Sequence, residues 1–136
     1  MRLACESTCF HPAILASSYS QFWAGQLRDS VLNAVLAVFE LLRAKTGLDK
    51  DGTQLVAEAL SVEHPKLFVS DLATASGRDE QKGFIQILQG TYLGVRNPMA
   101  HSLGSDLDEA AAAQYLVFAS LLARRIDEAQ PKTPGS

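Results

Sequence analysis

Apolar positions recur at helical spacing along most of the chain. Val31, Leu32, Val35, Leu36, Phe39 and Leu42 lie three and four residues apart, which places them on one face of an α-helix. Asp29 or Ser30 stands where a helix cap is expected, and Arg43 and Lys45 suit the last turn, where the helix dipole favours cations. Gly47 ends the run. The apolar face is wide, so this helix is expected to have neighbours on several sides. Upstream, "HPAILASSYSQFWAGQ" predicts a helix with Pro12 near its first position and Gly25 at its end, with Ile14, Leu15, Phe22 and Trp23 mainly on one side. Downstream, "RDEQKGFIQILQGTYLGV" carries a stripe of Phe84, Ile87, Leu88, Thr91 and Val95. The final pattern, "DLDEAAAAQYLVFASLLARRIDEA", predicts a helix capped by Asp106 or Asp108, with Leu116, Val117, Ser120 and Leu121 facing inward.

Residues 48–77 are less regular. "DGTQLVAEALS" predicts a short helix, while "HPKLF" and "ATASG" read as loop, with Leu67 and Phe68 tucked against the rest. No alternating apolar pattern competes with these helices. The expected architecture is all-α: an up-and-down four-helix bundle with a short helical insertion between the second and third main helices. A chain of 136 residues is long enough for one domain with a substantial core. The expected organisation is a leader over 1–10, the bundle over 11–129, and a polar, proline-bearing, disordered tail over 130–136.

Charge and cysteine content narrow the function classes. A formal net charge of −3 argues against a non-specific nucleic-acid coat, although it leaves room for one small basic cleft. Cys5 and Cys9 are four residues apart, but two thiols do not complete a zinc site; reduced thiols are expected. Neither a cofactor nor a metal is expected. No stretch has the length of a membrane span, and the N-terminus lacks an apolar signal core, so the expectation is a cytoplasmic protein with no membrane partner.

The chemistry concentrates in "GVRNPMAHSLG", Gly94 to Gly104. Pro98 lacks an N–H, clashes with the carbonyl four residues back and disfavours the α region at Asn97. The third main helix is therefore expected to stop or kink at Val95 to Asn97, with Asn97 capping a new short turn and Pro98 at its first position. On a straight helix Arg96 and His101 would point roughly 140° apart; a bend could bring them together. An arginine offers a permanently charged planar fork to a phosphate. A histidine exchanges protons near neutral pH. Such a pair suffices for metal-free cleavage of RNA, one group moving the 2′-OH proton and the other stabilising charge on the phosphoryl oxygens.

Arg96-Asn97-Pro98-Met99-Ala100-His101 resembles the Arg-x(4–6)-His motif of HEPN domains, including the polar residue they favour directly after the arginine. The chain resembles still more closely the Ymh-like branch of that superfamily, from about His11 to Asp127, through "HPAIL", "VLNAVLAVFELLRAKTGL", "DGTQLV", "GRDEQKGFIQILQGTYLGVRNPMAH" and "FASLLARRIDEA". The resemblance implies a small helical bundle that pairs so that two motifs flank one cleft. It also implies a metal-independent endoribonuclease acting as a toxin or effector in antiphage or toxin–antitoxin systems, with RNA as substrate and an antitoxin or other defence protein as partner. Arg96 and His101 would then be catalytic and Asn97 substrate-binding. Two positions depart from the branch: that of Met99 is often basic and that of Ser102 often acidic, and here neither is charged. The competing expectation is a catalytically silent bundle of the same type that binds a partner protein or a nucleotide. A homodimer is also expected because the second and fourth main helices carry more apolar surface than one small bundle buries. Elsewhere, His11 and His64 precede prolines and read as turn residues, Arg78 and Lys82 as a solvated face, and Trp23 and Tyr92 as core or dimer contacts.

Overall fold

The computed structural model describes residues 9–101 and 107–131. Helix α1, Pro12–Trp23, begins with proline at its first position and His11 as its cap, the imidazole Nδ1 accepting the Ala13 N–H at 3.0 Å. Gly25 turns the chain with φ +81°. Helix α2, Leu27–Thr46, starts two residues before the expected Asp29. Gln26 precedes it without a side-chain cap, and Ser30 is buried inside the first turn, its Oγ donating to the Leu27 carbonyl at 2.7 Å. Gly47 closes α2 in the left-handed region at φ +71°, as its position predicts. The insertion contains α3, Gly52–Ala59. Helix α4, Ala75–Thr91, is capped by Thr74, whose Oγ1 accepts the Gly77 N–H at 2.9 Å. A π-helical turn, Tyr92–Arg96, and a short helix α5, Asn97–His101, follow without a break. Helix α6, Glu109–Glu128, is capped by Asp108, which accepts the Ala111 N–H at 2.8 Å; Asp106 lies outside the described residues.

The chain is all-helical over the described residues apart from one isolated bridge. Helix α2 is the hub. It packs on α1, α3, α6 and the π-helical turn, which is why its apolar face had to be wide. Val31, Ala34, Val35, Val38, Phe39 and Leu42 are all buried there, and Leu55, Val56, Leu67 and Leu88 extend the core through the insertion and α4. Helix α6 packs on α2 and on α1, and it places Ala112, Leu116, Ala119, Ala123 and Ile126 in the core. Alanines are frequent on this buried face, and a side chain of one carbon lets two helices approach closely. Val117 and Leu121, expected inward, are exposed instead, as are Leu36 and Ile87.

Polar contacts help to hold the insertion in place. Gln81 of α4 is fully buried and uses both ends of its amide: Nε2 donates to the Leu60 and Leu67 carbonyls at 3.1 and 2.9 Å, and Oε1 accepts the Val69 N–H at 2.9 Å. Each of these backbone groups would otherwise face the interior unpaired, at about 1–3 kcal/mol apiece. Phe68 is only half-buried. It pairs with Gln130 through two backbone hydrogen bonds of 2.7 and 3.0 Å. Ala129 is buried at the end of the expected bundle, and Gln130, expected in the tail, is tied to Phe68 by this pair of hydrogen bonds. Residues 132–136 and the leader before Cys9, Cys5 included, lie outside the described residues.

Candidate functional site

The chain stays helical through Pro98, so the helix does not stop there. Asn97 keeps helical dihedrals (φ −65°, ψ −48°) and caps nothing; its N–H donates to the Tyr92 carbonyl five residues back. Pro98 sits inside a continuing helix. The reason is the turn that precedes it. A π-helical turn accommodates one more residue than an α-turn, which relieves the clash between the proline ring and the carbonyl four residues back and absorbs the missing N–H.

Arg96 ends this widened turn and is half-buried. Three features define its guanidinium. The Cζ atom stands over the Tyr92 ring, 5.2 Å from the centroid. The Nη1 group donates to Asn97 Oδ1 at 3.1 Å. The Nε atom is buried and has no hydrogen-bond partner. Tyr92, four residues earlier, is in turn held by its neighbours. Phe39 of α2 meets it edge-on, with centroids 5.4 Å apart. Gly52, at the start of α3 with φ +59°, lies so close that a Cβ there would stand 2.8 Å from the ring. The loop bearing Gly52 is pinned by Arg43, which pairs with Asp51 and donates through Nε to the Lys50 carbonyl at 3.2 Å. Across the site, Arg28 of α2 donates to the Met99 carbonyl at 2.9 Å and ties α5 to the bundle.

The structure thus joins Arg96 to Asn97. Among the described contacts of Arg96 there is none with His101, which is exposed at the last residue of α5. Met99 packs against the core, whereas Ser102 lies outside the described residues. Other sequence candidates have structural roles. Besides capping α1, His11 hydrogen-bonds through Nε2 to Asp127. Lys45 caps the end of α6 by donating to the Ile126 and Asp127 carbonyls. Arg78 donates to the Leu72 carbonyl at 2.9 Å, and Lys82 and His64 are exposed. Trp23 is 50% exposed and so is no core residue. Among the described residues, no group of three or more His, Cys, Asp or Glu is arranged to hold a metal ion.

A family model described as a protein of unknown function, Hypoth_ymh, matches residues 8–126. The chain belongs to the Hypoth_ymh family. The Hypoth_ymh match spans Gly52, Tyr92, Arg96, Asn97 and His101, so the whole arrangement around the guanidinium falls within the family's own boundaries. No curated protein and no solved structure matches the chain. No helix among the described residues is long and apolar enough to cross a membrane.

Proposed function

We propose that this chain is a metal-independent endoribonuclease on a HEPN-like four-helix bundle, acting as a toxin or effector in a prokaryotic antiphage or toxin–antitoxin system. The observation that carries the reading is the half-committed guanidinium of Arg96. Its Nη1 is taken by Asn97 and its Nε is buried without a partner. That leaves the Nε–Nη2 edge, the side of an arginine suited to gripping an oxyanion through two parallel hydrogen bonds. A buried, unpaired N–H costs about 1–3 kcal/mol. A phosphoryl oxygen at that edge would recover it, most of all in the transition state, where negative charge on the oxygens is greatest.

In this reading the ribose 2′-OH attacks phosphorus, its proton passes to a base, and the 5′-oxygen departs and takes up a proton. The products are a 2′,3′-cyclic phosphate and a 5′-hydroxyl. His101 moves a proton, Arg96 stabilises the phosphorane charge, and Asn97 both aims Arg96 and contacts the substrate. The exposure of His101 fits a residue that meets substrate or the motif of a second copy, so the active species is a homodimer with two motifs on one cleft. A second reading, a catalytically silent bundle that binds a partner protein or a nucleotide, is favoured by Leu93, which is 58% exposed within the same widened turn. Inducible expression in bacteria separates the two. Growth arrest by the wild type but not by His101→Ala supports the ribonuclease; equal toxicity, or none from either, favours the silent bundle.

A further inference from the structure

We infer that Tyr92 is a positioning residue for Arg96 and that Gly52 sets the place of its ring. Tyr92 makes two connections to the motif. Its carbonyl accepts the five-residue hydrogen bond from Asn97 that defines the widened turn. Its ring lies against the Arg96 guanidinium, a cation–π contact with Cζ 5.2 Å from the centroid. The ring has little freedom to move away, because Phe39 meets one part of it edge-on and the bare Cα of Gly52 abuts its tip. Gly52 can approach so closely only because it has no side chain, and its φ of +59° suits glycine above other residues. The insertion, pinned through Arg43, Lys50 and Asp51, therefore presses on Tyr92, and Tyr92 orients Arg96. A guanidinium held on one face by a ring and at one nitrogen by Asn97 presents its remaining edge in a fixed direction. As a statement about RNA cleavage this rests on the function proposed above. As a statement about the guanidinium it stands independently.

The test compares wild type with Tyr92→Phe, Tyr92→Leu and Gly52→Ala by two readouts. The first is the Arg96 Nε–H resonance in a nitrogen-edited proton spectrum, assigned by its loss in Arg96→Lys. In the wild type and in Tyr92→Phe, which keeps the ring face, the resonance should be shifted by the ring and exchange slowly with water. In Tyr92→Leu the shift should vanish and exchange should quicken by about tenfold or more, because the group loses its cover. The second readout is cleavage of RNA. In Tyr92→Leu, kcat should fall by roughly ten- to a hundredfold at nearly unchanged KM, and Tyr92→Phe should restore it, as misplacement of a transition-state contact requires. If Tyr92→Leu fails to fold, Gly52→Ala decides, since it retains the ring but pushes it; the Nε–H resonance should move there too. An Nε–H that is unmoved and equally slow to exchange in the folded Tyr92→Leu or Gly52→Ala variant overturns the inference. A wild type that cleaves no RNA overturns the ribonuclease reading alone, because the spectra still decide the role of Tyr92.

Discussion

Gln81 and Arg96 stand fifteen residues apart on one run of helical chain, and both carry buried polar nitrogen. Gln81 is committed to the fold: both donors and the carbonyl of its amide are hydrogen-bonded to backbone groups of the insertion. Arg96 is incomplete, with one nitrogen on Asn97, its face on Tyr92, and a buried Nε that meets no acceptor. Local geometry follows the same division. Around Gln81 the helix is regular and capped; at Arg96 it widens into a π-turn, a conformation often found at functional sites. A buried polar group whose partners all lie within the chain serves the fold. One whose partners do not suffice points to something that comes from outside.

The largest effect is expected at the first turn of α4. A Cβ on Gly77 would lie 1.7 Å from the Asp71 carbonyl oxygen, a backbone atom that cannot swing aside. Gly77→Ala should destabilise the protein by about 4 kcal/mol or more, and a urea midpoint close to the wild-type value would show that this end is not the rigid one. Gln81→Met keeps the side-chain volume but orphans two carbonyls and one N–H. It should cost about 3 kcal/mol or more in the same titration, and the proposed RNA cleavage should be unchanged per folded molecule. Arg96→Met should behave in the opposite way. Because it removes an unsatisfied buried donor, its stability should stay within about 1 kcal/mol of wild type, while RNA cleavage is lost. The smallest stability effect is expected for His101→Ala, within about 0.5 kcal/mol, since the imidazole is exposed.

The elements with strong local punctuation were legible in the sequence: Pro12 and Gly25 around α1, Gly47 after α2, Asp108 before α6. In each case a single residue type answers a single backbone need. The start of α2 was not, because Asp29 and Ser30 have the chemistry of caps, yet the helix begins earlier and turns Ser30 inward. Gln81 was missed although it lies three residues before Phe84 and seven before Leu88, on the buried stripe itself; its polarity hid a core position. At the candidate site, Arg96, Asn97 and His101 were visible as residue types, but the way Pro98 is accommodated was not. Steric rules for an α-helix predict a stop or a kink there; the helix widens into a π-turn instead of stopping, where Tyr92 packs on Phe39 and Gly52. Tyr92 did lie one turn before Arg96, a spacing that allows ring and guanidinium to meet. The contact with Gly52 joins residues far apart in sequence and has no local signal.

The most direct test of the proposed ribonuclease function is cleavage of a defined RNA by the purified chain in excess chelator, with the ends of the products identified. Expected are cutting without added metal, 2′,3′-cyclic phosphate and 5′-hydroxyl ends, no cutting when the 2′-hydroxyl at the cleavage position is replaced by hydrogen, and loss of activity in both Arg96→Ala and His101→Ala. Products with 5′-phosphate ends, activity that appears only with added magnesium, or full activity in the Arg96→Ala protein would contradict it.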